Sequence, residues 1–139
     1  MTIRTMTLQF QTHGDGHTID ITPEITQMIK DSEMTAGIVA LFVPGSTAAL
    51  TTIEYEPGAL KDFQCMFEEI APEKRRYDHN ERWGDGNGHS HVRAALLGPS
   101  LTVPFAESEL LLGTWQQIIF VDFDNRARSR TVIVQIMGE

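Results

Sequence analysis

Three of the five histidines, His79, His89 and His91, fall within one short stretch, "DHNERWGDGNGHSHVRAALLG", together with Asp78, Glu81 and Asp85. Imidazole nitrogens are ligands for zinc and similar ions. Three of them leave a fourth position for water or substrate, and nearby carboxylates orient the rings. On a strand, an H-x-H pair shares a face. The residues from His89 to Leu97 read instead as a short helix, where positions i and i+2 diverge by about 200°. The rings of His89 and His91 then converge only if His89 occupies the cap. The competing reading is a polar loop with solvated histidines, since H-x-H alone is a weak motif.

A second chemistry is anion binding. The glycines of "GDGNG" permit left-handed backbone and close ligand approach. The first N–H groups of the helix that follows are unpaired and carry partial positive charge. Arg93, one turn in, adds a fork of donors. Ser46 and Thr47, in "PGSTAALTT", offer hydroxyls and backbone amides after an apolar strand, although the lysine of a P-loop is missing. Ordinary turn-making is the simpler reading of both stretches. Glu54 and Glu56 flank Tyr55 and would share a strand face, as acid–base groups or ligands of a hard cation, unless they line a solvated edge. Arg126, Arg128 and Arg130 alternate near the end of the chain. They would grip a phosphate or, more simply, pair with acids on a neighbouring subunit. Trp115 and Gln116 follow a Gly-Thr kink and suit a pocket wall or the core. Cys65 falls on the polar side of its helix with no histidine near it in sequence, an idle thiol.

These residues need a scaffold, and the patterning outlines one. "TIRTMTLQFQT" alternates as a strand with one apolar face, "HGDGH" is a turn, and "TIDI" is a short strand. Thr22-Pro23 supplies an N-cap and first-turn proline for a helix to about Glu33. "GIVALFVPG" reads as a strand buried on both faces, and Ala49 to Glu54 as another. Pro57-Gly58 breaks that strand, and a helix from Ala59 to Ala71 buries Leu60, Phe63, Met66, Phe67 and Ile70. Residues 73 to 88 read as a charged loop. "SLTVPF" and "ELLLGTWQQIIFVDF" read as strands, with "DN" turning a last hairpin into "RSRTVIVQIMG". Helices and strands are interspersed without βαβ repetition. The expected class is α+β, a single-domain sandwich over residues 1–139 of largely antiparallel sheet packed with helices.

Bulk properties narrow the partners. Eleven cationic against nineteen acidic residues leave a net charge of −8. That disfavours nucleic acid and anionic membrane surfaces, which demand clustered cations. No apolar run reaches the roughly 18 residues of a spanning helix. The opening lacks a signal-peptide core, and a lone cysteine suits a reducing cytoplasm.

Taken together, "PGSTAALTTIEYEPG", "YDHN…GDGNGHSHVRAALLGPSLTVPF", "LLLGTWQQIIFVDFDNRARSR" and the final "GE" resemble the YjbQ-like family over the whole chain. The resemblance implies a compact α+β sandwich forming a homotrimer, with a pocket near subunit contacts. It implies secondary thiamine-phosphate synthase activity, a transferase joining a pyrimidine pyrophosphate to a thiazole phosphate, weak in the family and compatible with an unknown native role. It implies a divalent metal, zinc first and magnesium as the alternative, on His79, His89 and His91. It also implies catalytic roles for Glu54, Asp85 and Asn87, and binding of a small phosphorylated metabolite by Ser46, Thr47, Arg93, Trp115 and Gln116. Many members carry a histidine followed by threonine where this chain has Gly45-Ser46. The alternative is a non-catalytic oligomer that binds a metal or a phosphometabolite.

Overall fold

A computed structural model describes residues 1–139. Its strands are β1 (Thr2–Thr12), β2 (His17–Asp20), β3 (Ala36–Phe42), β4 (Ala48–Ile53), β5 (Ser100–Ala106), β6 (Glu109–Leu110), β7 (Gln117–Asp122) and β8 (Arg128–Gly138). The helices are α1 (Thr22–Ser32), α2 (Pro57–Ile70), α3 (Asp78–Trp83) and α4 (Gly88–Leu97). The strands form two antiparallel sheets, β1-β8-β3-β5-β6 and β2-β7-β4. This is the α+β sandwich expected. No helix is long and apolar enough to cross a membrane.

Packing follows the alternation of β7. Ile118 and Phe120 point toward the larger sheet, where they join Val39, Leu41, Val132, Val134 and Ile136 beneath Ile25 and Ile29 of α1. Ile119 and Val121 point the other way, into a smaller core with Phe67 of α2 and Ala94 of α4. The three-stranded sheet is therefore the middle layer. Its central strand is buried on both faces, a role the apolar pattern assigns to β3. In β3 only Val39 and Leu41 are buried, and Ile38 and Phe42 lie open on the outer face of the larger sheet.

Several expectations at element boundaries need correction. Ile21, not Thr22, is the cap of α1; the Thr22 hydroxyl instead accepts the Ile118 N–H at 2.8 Å. Helix α2 begins at Pro57, because Glu56 accepts the Gly58 and Ala59 N–H groups at 2.7 and 2.8 Å. Glu56 is thus a cap, not a strand partner of Glu54, and Met66 and Ile70 are exposed. The loop over 73–88 contains α3, with acids in its first turn and left-handed Gly84 (φ 70°) at its end. "ELLLGTWQQIIFVDF" divides into β6 and β7, in different sheets. No hairpin joins β7 to β8, since the chain crosses from one sheet to the other between them.

That crossing is held by buried charge. Asp122, at the end of β7, is 0% exposed. Its Oδ2 accepts from the Thr12 hydroxyl (2.5 Å) and Arg130 Nε (2.6 Å). Its Oδ1 accepts from Arg130 Nη2 (2.7 Å) and the Asp124 N–H (3.0 Å). A carboxylate has about four lone-pair sites, and all are used. Thr12 and Arg130 belong to the larger sheet and Asp122 to the smaller, so the cluster ties the layers together. Asp124 repeats the arrangement, accepting from Thr47 (3.0 Å), Arg128 Nε (3.0 Å) and the Asn125 N–H (2.8 Å). Thr47 in turn accepts from Arg130 Nη2 at 2.7 Å. Arg128 and Arg130 therefore already pair with acids of their own chain.

Two outcomes are expected. Phe120 is fully buried and meets Phe10 edge-on at 4.8 Å; Phe120→Ala should cost about 3–5 kcal/mol in urea unfolding. Burial pushes both carboxyls up, but the hydrogen bonds from Arg130, Thr12 and the Asp124 N–H to Asp122, and from the Asn125 N–H and Thr47 to Asp124, outweigh it, so both titrate below their ordinary range. A carboxyl depressed on folding contributes stability that is complete above its unfolded pKa, about 3.9, and lost as pH falls toward the folded value. Urea midpoints should thus stay level near neutrality and drop below about pH 4. Arg130→Met should lower the neutral midpoint by the equivalent of about 3–5 kcal/mol and shrink the acid loss, since Asp122 then loses the partner that lowers its folded pKa.

Candidate functional site

The polar end of β7 opens into a pocket of about 250 Å³ in which no hydrophobic residue takes part. Gly45, Ser46 and Thr47 come from the turn before β4, Asp124, Arg128 and Arg130 from the sheet crossing, and Asn87 and His91 from the start of α4. Each arginine uses Nε and Nη2 on its carboxylate, leaving Nη1 without an acceptor in the chain. A Cβ on Gly45 would lie 3.3 Å from Arg130 Nη1, so the missing side chain keeps that end of the guanidinium clear. An adjoining cleft of about 360 Å³ shares Gly45, Ser46 and His91 and is floored by Ala48, Ala94, Ala95 and Pro99.

Beside the pocket, the His79 and His91 ring centroids are 4.3 Å apart. Burial first, then His79, holds the His91 pKa below the ordinary imidazole value, against Asp85 and Asp124. His79 Nε2 lies 3.4 Å from Asp85 Oδ1. The buried Asn87 amide has one end 3.0 Å from His79 Nε2 and 2.9 and 3.1 Å from the Asp85 oxygens, and its other end 3.4 Å from Asp124 Oδ1. An amide donates from one end only, so its oxygen faces a carboxylate whichever way it turns. The nitrogen makes its shorter bonds on the Asp85 side. Alternatively, a cation between Asp85 and Asn87 would let the oxygen turn inward.

His89 does not join this group. The helix already includes Gly88, so His89 lies within its first turn, past the cap where convergence was conceivable. The divergence of i and i+2 sends its ring to the other side of α4, where it lines a cavity with Phe67 and Glu68. Three imidazoles thus do not assemble, and no three His, Cys, Asp or Glu side chains stand close enough to hold an ion. The set that does come together is His79, Asp85 and Asn87, with His91 alongside.

Other expected residues also lie elsewhere. Arg93 donates to the Ala71 carbonyl (2.9 Å) and to Glu68 (2.7 Å), fastening α4 to the end of α2. The Gly88 N–H at the α4 start is taken by Asn80 Oδ1 at 2.8 Å, so it is not free for an anion. Glu54, Trp115 and Gln116 sit at the opposite end of the middle sheet. Ala48 pairs with Asp122 and Ile53 with Gln117, a separation of roughly 17 Å along the strands. Trp115 is 71% exposed, neither core nor pocket wall in a single chain. Gln116 bonds to Thr52 at 3.0 Å. Of the expected binding residues, Ser46 and Thr47 do reach the pocket.

Asp122, Asp124, Arg128 and Arg130 carry more of the site than the motifs suggest. The signal was present: two acids at period two in an otherwise apolar strand, followed by arginines at the same period.

Comparison with known proteins agrees with the architecture. The family model described as "UPF0047 protein YjbQ-like" matches residues 6–139. A UPF0047 protein of Archaeoglobus fulgidus is 36% identical over 132 residues, 95% of this chain and 100% of the relative. The UPF0047 protein YugU of Bacillus subtilis is 34% identical, covering 95% of this chain and 98% of YugU. A YbjQ-like protein of unknown function from Sulfolobus solfataricus superimposes with a TM-score of 0.89 at 31% identity, covering 99% of this chain and 100% of that one. On this evidence the chain belongs to the UPF0047, YjbQ-like family.

Proposed function

We propose that the polar pocket binds the phosphate of a small metabolite and that His79, Asp85 and Asn87, with His91 beside them, hold a divalent cation at its edge. The observation that carries the reading is a pocket without hydrophobic lining that keeps two arginine Nη1 groups free of acceptors. The distances of 2.9–3.4 Å among His79, Asp85 and Asn87 suit ligand atoms sharing one ion, since neighbouring ligands at about 2.1 Å from a metal stand about 3 Å apart. This mixed nitrogen and oxygen set fits magnesium, or zinc with a carboxylate ligand, better than an all-imidazole centre would.

The reaction this arrangement serves best is transfer of a pyrimidine from its pyrophosphate to a thiazole phosphate, forming thiamine phosphate. When bound, the cation would neutralise charge developing on the departing pyrophosphate. Arg130 and Arg128 would orient the phosphates, their forks fixed by Asp122 and Asp124 and so needing no reorganisation. The alanine-floored cleft would accept a flat ring and exclude water from the reacting carbon. A second copy of the chain would bring Glu54, Trp115 and Gln116 toward the pocket, and the open Ile3, Ile38 and Phe42 on the outer sheet face favour the homotrimer. The lone Cys65 agrees with a cytoplasmic location.

Purified protein with Mg²⁺ or Zn²⁺ should form thiamine phosphate. His79→Ala and Asp85→Asn should each lower cation affinity or turnover by about 10–100-fold. Phosphate and cation binding without turnover would reduce the protein to a binding module, and failure to bind either would remove the reading. Light scattering should return three times the chain mass; a monomer would contradict the assembly.

A further inference from the structure

On the far side of α4 from the polar pocket lies a separate cavity of about 180 Å³. Its floor is Phe63, Phe67 and Phe123, with Phe67 4.9 Å and 4.8 Å from its two neighbours. Asp15, Glu68 and Glu73 stand around it, from the β1–β2 turn, α2 and the segment after α2. His89 closes one wall. It is 2% exposed, its Nε2 faces the Ser90 hydroxyl at 3.4 Å, and its Nδ1 has no partner.

We propose that this cavity is a second binding site, for a small organic cation bearing N–H donors: a protonated amine on a short apolar body. The hydrogen-bond inventory gives the sign of the ligand. The donors lining the cavity are engaged in part, Arg93 through Nε on Ala71 and Nη2 on Glu68 and Gln64 on the Gly16 carbonyl at 3.4 Å, which leaves Arg93 Nη1 without an acceptor. The unmatched acceptors outnumber it: the Asp15 and Glu73 carboxylates and, with the proton on Nε2, His89 Nδ1. His89 Nδ1 is the buried acceptor left unmade, which is costly; the two carboxylates are exposed at the rim, and an ammonium supplies donors and nothing else. Three carboxylates against Arg93 leave two negative charges, which turns away anions. The carboxylates stand on three separate elements and do not group as ion ligands, which disfavours a bare metal. Aromatic rings attract organic cations, and three of them line the floor. The site shares no lining residue with the polar pocket, so it stands whether or not the proposed function does.

The test is titration of the full chain with benzylamine, followed by the ring nitrogen resonances of His89 (assigned by their loss in His89→Gln) and by calorimetry. Benzylamine should shift the His89 Nδ1 resonance saturably, while benzyl alcohol binds far more weakly and benzoate not at all. The side chains of Asp15 and Glu73 bond to nothing in the chain, so Asp15→Asn/Glu73→Gln should fold normally and bind benzylamine roughly tenfold more weakly. The proposal is overturned by no saturable shift, by an equal response to benzoate, or by unchanged affinity in the double variant.

Discussion

Two carboxylates buried at the end of β7, with two arginines of the neighbouring sheet folded over them, set what else can occupy this end of the molecule. A buried ion pair tolerates desolvation only when its remaining polar atoms are satisfied, and the Asp122 carboxylate has every lone-pair site filled. Satisfying it requires Thr12 and Arg130 from one sheet and the backbone of Asp124 from the other. The sheets are therefore locked in one relative placement. Each guanidinium is also fixed with one edge inward and the opposite nitrogen free. A rigid surface with two unengaged guanidinium nitrogens is thus a by-product of closing the sandwich.

Helix α4 then divides the chemistry. Its first turn puts His91 on the face toward the arginines and His89 on the face toward α2, because a helix cannot present i and i+2 together. One histidine lines the polar pocket with Asn87 and Asp124. The other sits in an aromatic wall with a nitrogen unmatched. Arg93, one turn further on, secures this division by tying α4 to the end of α2. Asn87 has carboxylates at both ends of its amide and is the joint between the histidines and the ion-pair network.

Much of the scaffold is legible in the residues themselves. Alternation marks β1 and β8, and α4 is bounded by glycines where expected. What local patterning does not carry is partnership between distant segments. The apolar run of β3 suggests burial on both faces, yet doubly buried β7 is the strand with an aspartate at its end, since a paired acid can occupy a core position that pattern reading reserves for hydrocarbon. Glu56 reads as a strand residue because capping depends on the turn that follows it. Arg128 and Arg130 are visible as a cationic row, but their acids precede them across a sheet change that resembles a hairpin. His89 drew attention through spacing, and helical geometry removes it from the group. Glu54, Trp115 and Gln116 stand far from the pocket in one chain, a relation that sequence order cannot express.

The central claim is that the ion-pair network builds a pocket for an anion beside a cation held by His79, Asp85 and Asn87. A crystal structure of protein soaked with Mn²⁺ and inorganic phosphate tests it directly. The account predicts anomalous density between Asp85 and Asn87, and a phosphate within hydrogen-bond distance of Arg130 Nη1. Rings of His79 and His91 turned to solvent, with neither ion between them and the arginines, would contradict it.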